Sequence, residues 1–272
     1  GIDALAKLTS GKVHLSVKGK GKSIFKDVKG VSLHQVYGPH PAGNVGVQIG
    51  KISPINAGER VWTVTPQDVA TIGELFLTGK FNATRTVALV GSEVKDAQYY
   101  NVISGAAIAD LVAGKIEGDN VRVISGDVLT GTKVKMDGNL GFLSNTVTVI
   151  PEGNVYRMFG WMPFASPSVH SASRTGLSWL MPGKKYAPNT NLNGEERALV
   201  VTGEMEAVMP LDIFPMQLLK ACLASDIDKM ESLGIYEVAP EDFALIDYTN
   251  TSKLEAQEII RGALDLMIKE VG

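Results

Sequence analysis

The sequence predicts an α/β and α+β multidomain fold, and three successive patterns support this class. Strand and helix signals alternate over the first third of the 272 residues, several strands then surround one short helix, and the last part is helical by its periodicity. Hydrophobic residues make up 44% of the chain, so more than one core can form at this length.

The first region predicts a parallel sheet. Alternating apolar residues indicate strands at 12–17, 31–36 and 60–64, and short helices are predicted at 1–8 and 44–49. Because strands that alternate with helices pair in parallel, we expect these strands to form one parallel sheet.

A longer helix follows the third strand, and both of its ends are marked. Thr65 can cap it, Pro66 fits its first turn, Asp68 complements the helix dipole, and Gly79 ends it. Four residues at helical spacing form its apolar face: Val69, Ile72, Leu75 and Phe76.

The second region predicts a small β-grasp-like unit. Its elements are strands at 86–90, 121–124, 146–150 and 155–159, with a turn at 151–154 between the last two, and a helix at 106–112. One helix against a few mixed strands is typical of that architecture.

The third region begins with a long connection and ends in helices. Residues 160–195 are rich in Pro, Gly, Ser and Asn, which indicates an extended connection. Helices are predicted at 211–223, at 226–233 and from 240, and Ser252 is predicted to cap the final helix. The final apolar stripe indicates bundle packing: Leu254, Ile260, Leu264, Met267 and Val271. The predicted units are therefore 1–84, 85–163 and 164–272.

Composition excludes several classes of protein. The formal net charge is -3, so nucleic acid, including DNA, is not an expected partner. No apolar run reaches the roughly 20 residues that a membrane-spanning helix needs. The single cysteine, Cys222, lies among leucines of a predicted helix and is expected to be a buried, inert thiol.

Two loops invite a functional interpretation. Gly19–Ser23 resembles the end of a phosphate-binding loop, but Ser16 stands where the first glycine is needed, so a basic surface turn is the better interpretation. His40 lies between two prolines in a Gly-rich loop after a strand, where ligands bind in open α/β sheets. A rigid turn with an exposed histidine is the alternative. The four histidines fit no zinc motif, and no catalytic residue is predicted.

Five stretches in order resemble the A-type subunit of the sodium-translocating NADH:quinone reductase. They are 38–46 (GPHPAGNVG), 61–62 (VW) with 67–73 (QDVATIG), 122–131 (RVISGDVLTG), 159–162 (FGWM) and 208–213 (VMPLDI). More distant relatives are the NADH-binding flavoprotein subunit of complex I and the C-type subunit of the Rnf complex. The resemblance implies a partial Rossmann-like domain, a β-grasp module of the soluble-ligand-binding type and a C-terminal helical domain. It also implies a lipoyl-like domain and earlier strands in front.

The chain departs from the Rnf relative where that protein holds iron–sulphur clusters. No cysteine follows Met209 and Pro210, and Asn250 stands where the second cluster segment has a cysteine. Better-known members of the family itself keep cysteines around Ile246 and Asn250. Because clusters usually need four thiolates, this chain is expected to hold none, and no role of those thiols is carried over.

The resemblance implies a peripheral subunit on the cytoplasmic face of the bacterial inner membrane. The whole complex would pass electrons from NADH through flavins and an iron–sulphur centre in other subunits to ubiquinone or menaquinone, and export Na+. This chain is expected to hold no cofactor and to act in assembly and at the quinone-reducing end, beside the quinone-site membrane subunit. The alternatives are a flavin- or NADH-binding oxidoreductase subunit of the complex I type and a non-enzymatic small-ligand module.

Exposed apolar side chains are expected to mark the docking surface. The candidates lie in the Gly/Pro/Ser-rich connection: Trp161, Met162, Phe164 and Trp179. Packing between the second and third units is the alternative for these four residues.

Overall fold

The computed structural model describes residues 1–160, 162 and 169–271, and over these residues it is a mixed α/β protein. Its helices are α1 Ile2–Leu8, α2 Val45–Ile52, α3 Pro66–Thr78, α4 Ile108–Val112, α5 Pro215–Leu223, α6 Ile227–Ser232, α7 Ala244–Thr249 and α8 Ala256–Glu270. Its strands are β1 His14–Lys18, β2 Ser32–Val36, β3 Thr84–Val90, β4 Gln98–Ile103, β5 Val121–Ser125, β6 Thr132–Val134 and β7 Thr146–Pro151. Short 3-10 helices lie at Leu177–Leu180, Ile235–Glu237 and Pro240–Phe243.

The first sheet is a parallel pair, as the alternation of strands and helices predicts. β1 pairs with β2 from His14 opposite Ser32 to Lys18 opposite Val36. The predicted ends of α3 are confirmed, since the Thr65 hydroxyl accepts from the Asp68 N–H and Gly79 ends the helix in the left-handed region. The predicted apolar face of this helix is only partly covered, and Phe76 is 74% exposed.

The strand predicted at 60–64 is wrong. These residues form no regular element, and within the described ranges no strand pairs with them. Trp62 at the centre of this stretch is 91% exposed. The apolar alternation there therefore has no strand to pair with, and a strand forms only where its backbone N–H and C=O groups find partners.

The second sheet has five strands in the order β4-β3-β7-β5-β6. β3 and β7 pair in parallel, and the other neighbouring strands are antiparallel. One face packs on α4, and the core between them is formed by fully or nearly fully buried side chains: Val87, Leu89, Ile108, Leu111, Val147 and Val149. The second sheet is therefore a mixed sheet, and one helix, α4, covers one of its faces.

The sequence did not predict two strands of this sheet, and one strand that it did predict does not form. β4 is a half-exposed edge strand and β6 has three residues, so neither has a clear apolar alternation. The predicted strand at 155–159 is irregular because both edges of β7 are already paired, with β3 and β5. The Val155 N–H instead donates to Asn191 Oδ1 at 2.8 Å.

The last part is a helical cluster around a separate core. Its fully buried side chains include Met216, Leu218, Leu219, Ile235, Phe243, Ile246 and Ile260. α5 begins at Pro215 rather than at 211, while Asp226 caps α6 as predicted. Leu254 and Val271 lie outside the buried face of α8, which consists of Ala256, Ile260, Ala263 and Met267.

The predicted cap of the final helix is wrong. The Ser252 hydroxyl donates to the Ala198 carbonyl, and Lys253 has a φ of 57°, so the helix cannot continue back to this serine. The carboxylate of Asp247 takes the role of the cap, because it accepts the N–H groups of Ala256 and Gln257 at 2.5 and 3.4 Å. Burial raises the pKa of Asp247 despite these donors.

A glycine and a carboxylate join α2 to the helical part. Asp242 Oδ2 accepts the Ala239 N–H at 2.9 Å, and the same carboxylate lies directly against Gly46. A Cβ at position 46 would come within 2.4 Å of its oxygens, so only glycine permits this approach. Because burial raises the pKa of Asp242, the carboxyl group holds its proton more tightly than it would in water.

Candidate functional site

A cleft of about 580 Å³ opens at the carboxyl end of β2. Its volume falls within the range of roughly 300 to 1,000 Å³ that is typical of small-molecule sites. The lining combines apolar side chains from β2, α2 and the distant Pro210 with polar ones, which are His34, Gln35, Tyr37, His40, Gln48 and Lys51. Carboxyl ends of parallel strands are where open α/β sheets bind ligands.

The loop that carries His40 is held by its own hydrogen bonds. The Ala42 N–H donates to the Pro39 carbonyl at 3.0 Å, and the Asn44 N–H donates to the Pro41 carbonyl at 2.8 Å. From α2, Gln48 Nε2 donates to the carbonyls of Ala42 and Gly43. The loop therefore has a fixed shape, which places the His40 backbone on the wall of the cleft.

The polar side chains of the cleft differ in whether they already have hydrogen-bond partners. The Tyr37 hydroxyl donates to Gln35 Oε1 at 2.6 Å, and His34 Nε2 lies 2.9 Å from His14 Nδ1 with the two rings stacked. Within the described part of the chain, His40 and Lys51 make no side-chain hydrogen bond or ion pair, and no acidic residue lines the cleft. A ligand with hydrogen-bond acceptors or negative charge would find donors here and no repulsion.

The long connection is fastened to the second sheet at Glu152. Arg122 forms a two-pronged ion pair with this carboxylate, Lys133 Nζ lies 3.1 Å from it, and the Thr190 hydroxyl donates to it at 2.9 Å. The Gly153 N–H donates in turn to Thr190 Oγ1 at 2.6 Å. These bonds, with that of Arg122 first, lower the pKa of Glu152 to about 2.

Acidification should therefore weaken this attachment. A carboxylate whose pKa is lowered in the folded state stabilises the fold above its unfolded pKa of about 4.3, and that contribution is lost as the pH falls towards about 2. We expect Glu152→Gln to be less stable than the native chain at pH 7 and the difference to vanish between about pH 4.3 and pH 2. Urea unfolding at several pH values measures it.

The matched control is Glu117→Gln. Glu117 is exposed and its side chain forms no ion pair in the described ranges, so its replacement should change stability by no more than about 0.5 kcal/mol at any pH. A Glu152→Gln chain as stable as the native one at pH 7 would contradict the attachment.

The candidate docking residues are only partly described. Met162 is 47% exposed and Trp179 is 53% exposed. Trp161 and Phe164 lie outside the described residues. Both residues that can be assessed are thus available at the surface, and their role in docking stays a prediction.

Asn250 stands where the resemblance to the Rnf relative implies a cluster cysteine, and its amide has a structural role instead. Asn250 is 1% exposed, its Nδ2 donates to the carbonyls of Ile246 and Leu254, and its Oδ1 accepts the Leu254 N–H. These residues do not fit an iron–sulphur cluster. Among residues 1–160, 162 and 169–271, no group of three or more His, Cys, Asp and Glu side chains could hold a metal ion.

The lone thiol lies in the helical core. Cys222 is 8% exposed, and desolvation raises its pKa to about 11. Since the thiolate is the reactive form, this cysteine is inert near neutral pH, as the sequence predicts.

The sequence predicted the loop of the cleft but not its other walls. Lys51 and Gln48 lie on the same short helix, three residues apart, which places both on one side of it. Pro210 also lines the cleft, although it lies about 160 residues further along the chain, and no local sequence pattern predicts such a contact.

These features define a mixed α/β protein with a ligand-sized cleft beside its parallel strands and a helical part without cluster ligands. Comparison with known families agrees with this class. Residues 1–81 match the family model described as "NqrA second alpha/beta domain", and residues 86–136 match the one described as "NQRA C-terminal domain". No helix in the described ranges has both the length and the apolar character that crossing a bilayer requires.

Curated relatives extend the match over nearly the whole chain. Proteins named as the A-type subunit of the Na(+)-translocating NADH-quinone reductase are 36% identical in Neisseria meningitidis serogroup B, 39% in Serratia proteamaculans and 37% in Hahella chejuensis. Each alignment covers 99% of this chain and 60% of the relative. The chain is therefore similar to the A-type subunit of the Na(+)-translocating NADH-quinone reductase over nearly its whole length, and it spans about three fifths of the length of these relatives.

Proposed function

We propose that this chain works in a Na+-translocating NADH:quinone reductase, as its peripheral A-type subunit on the cytoplasmic face of the bacterial inner membrane. The complex would reduce ubiquinone or menaquinone with electrons from NADH and export Na+. The observation that carries the proposal is identity of 36 to 39% with relatives of that name over 99% of the chain.

The proposed organisation has three units. A partial Rossmann-like domain spans 1–84, a β-grasp module of the soluble-ligand-binding type spans 85–163, and the connection with the helical domain spans 164–272. Support comes from the parallel pair β1–β2, from the five-stranded sheet with its single covering helix, and from the separate helical core.

Within the complex, this chain would position other subunits rather than carry electrons. It would hold no cofactor of its own, with the flavins and the iron–sulphur centre in other subunits. Two observations support this role: the amide of Asn250 is fully bonded at a position where the resemblance implies a cluster cysteine, and the buried thiol of Cys222 is one cysteine where a cluster usually needs four.

The cleft is the part of this chain that suits the quinone-reducing end. A quinone ring needs apolar walls and hydrogen-bond donors for its carbonyl oxygens. Val36, Val47 and Pro210 supply apolar surface, while His40 and Lys51 supply donors that are otherwise unengaged in the described part of the chain. We propose that the cleft shapes part of the quinone-access region beside the quinone-site membrane subunit.

Affinity purification tests the assembly role. The full chain carrying an affinity tag should recover the other reductase subunits from detergent-solubilised membranes. Replacing Met162 and Trp179 by serine should reduce that recovery, because both side chains are exposed and apolar. Trp62→Ser is the matched control, since Trp62 is 91% exposed and lies outside the connection. Recovery of no membrane subunit by the native chain would contradict the proposal.

Photolabelling tests the quinone-access role. A photoreactive quinone activated in the intact complex should label peptides that contain residues 34–52, and excess unlabelled quinone should suppress the labelling. His40→Ala should weaken labelling, while His170→Ala, which changes a histidine outside the cleft, should not. Labels found only on other subunits would exclude the cleft.

A bound flavin would indicate the alternative, an oxidoreductase subunit of the complex I type. A chain that binds flavin stoichiometrically and accepts electrons from NADH by itself would replace the proposal above. The absorbance spectrum of the purified protein is the measurement.

A further inference from the structure

A short 3-10 helix in the connection presents a row of apolar side chains to solvent. In the segment Leu177–Met181, here called the apolar turn, Leu177, Trp179, Leu180 and Met181 are 45%, 53%, 58% and 38% exposed. Four large apolar side chains exposed within five residues exceed what scattered surface hydrophobics explain.

The remaining residue of the turn explains why the others face outwards. Ser178 is 7% exposed, and its hydroxyl oxygen accepts the Ser171 N–H at 2.9 Å. The Met181 N–H donates to the Ser178 carbonyl at 3.0 Å, which closes the turn. Because the serine is held inwards on both its side chain and its backbone, its apolar neighbours are fixed at the surface.

The Lys, Arg, Asp and Glu residues nearest to the turn along the chain are all basic. From 153 to 194 the sequence contains no Asp or Glu, but it contains Arg157, Arg174, Lys184 and Lys185, in a chain whose net charge is -3. Arg174 and Lys185 are exposed and flank the apolar turn by three and four residues. The segment is therefore a basic, apolar stretch in a chain that is acidic as a whole.

We propose that the apolar turn, with Arg174 and Lys185, binds the surface of an anionic lipid bilayer. Trp, Leu and Met side chains enter the boundary between headgroups and acyl chains, while flanking Lys and Arg attract acidic headgroups. The basic flanks and the lack of Asp and Glu from 153 to 194 complement the negative surface of a bilayer with acidic lipids, which favours lipid as the occupant. The contact would supplement docking on membrane subunits.

Vesicle binding by the chain alone tests this inference. The chain should co-sediment with phosphatidylcholine vesicles that contain phosphatidylglycerol and not with phosphatidylcholine alone, and added salt should weaken binding. Trp179→Ser with Leu180→Ser should reduce the partition coefficient by about tenfold or more. Arg174→Glu with Lys185→Glu should reduce it by at least about 25-fold, since each basic residue near the surface is worth about fivefold and the new carboxylates are repelled by acidic headgroups.

Two control variants make the outcome specific. Trp62→Ser removes an indole elsewhere that is more exposed than Trp179, and Lys20→Glu with Lys22→Glu reverses the charge of a basic turn outside the connection, so neither should alter binding. Unchanged binding in the apolar-turn variants, or loss of binding in the Lys20/Lys22 variant, overturns the proposal. So does a native chain that ignores vesicles while the apolar-turn variants lose partner subunits, because the turn is then a protein contact. If the chain does not bind vesicles, the proposed function in the reductase still stands, since affinity purification tests that function separately.

Discussion

Asn250→Ala should lower the free energy of unfolding of the helical part by about 3 kcal/mol. Asn250 is buried, and the change removes its bonds to the carbonyls of Ile246 and Leu254 and to the Leu254 N–H. Backbone groups left without partners in the core pay their full desolvation cost. Urea unfolding followed by circular dichroism gives the difference.

Two further variants separate hydrogen bonding from side-chain volume. Asn250→Asp keeps the shape but has no amide donor, so it should be destabilised at neutral pH to a similar extent. Asn154 is exposed and makes no side-chain bond in the described part, so Asn154→Ala should change stability by less than about 0.5 kcal/mol. A cost below about 1 kcal/mol for Asn250→Ala would show that this amide does not hold the loop before α8.

Gly91→Ala should destabilise the five-stranded sheet by about 4 kcal/mol or more. Gly91 follows β3 with a φ of 126°, and a Cβ there would lie 1.9 Å from the Val149 carbonyl oxygen. Val149 belongs to β7, which is paired on both sides, so the obstructing backbone cannot move away. Urea unfolding and hydrogen exchange of peptides from β3 and β7 report the loss.

Gly105→Ala is the control for backbone strain. Gly105 also has a positive φ, of 81°, but a Cβ there would meet no atom within 4 Å. This variant should cost only about 1 kcal/mol, the penalty of a left-handed conformation without a clash. Equal costs at the two positions would mean that the sheet relaxes around the new methyl group.

Local signals explain what the sequence predicts well. The ends of α3 depend on Thr65, Asp68 and Gly79, which act within one turn of the helix they terminate. Asp226 before α6 is a second example, because its side chain accepts the Lys229 N–H three residues on. Where a residue bonds to close neighbours in the chain, the local sequence is enough to predict the structure.

The wrong predictions all depend on distant partners. Residues 155–159 resemble a strand, yet β7 has no free edge for them. Ser252 resembles a cap, yet its hydroxyl bonds to Ala198 while Asp247 takes its place. For the candidate site, the sequence predicted that the His40 loop follows a strand end, but it could not predict that Pro210 would help to enclose it.

The carboxylate of Asp247 also bears on how the C-terminal helix unfolds. It lies on α7 and accepts the first free amides of α8, so the first turn of α8 is complete only when α7 is in place. Amide protons of Ala256 and Gln257 should accordingly exchange with solvent in the same opening event that exposes α7, rather than by fraying from the helix end. We therefore expect the two helices to unfold as one cooperative unit, and a chain cut between them to lose both.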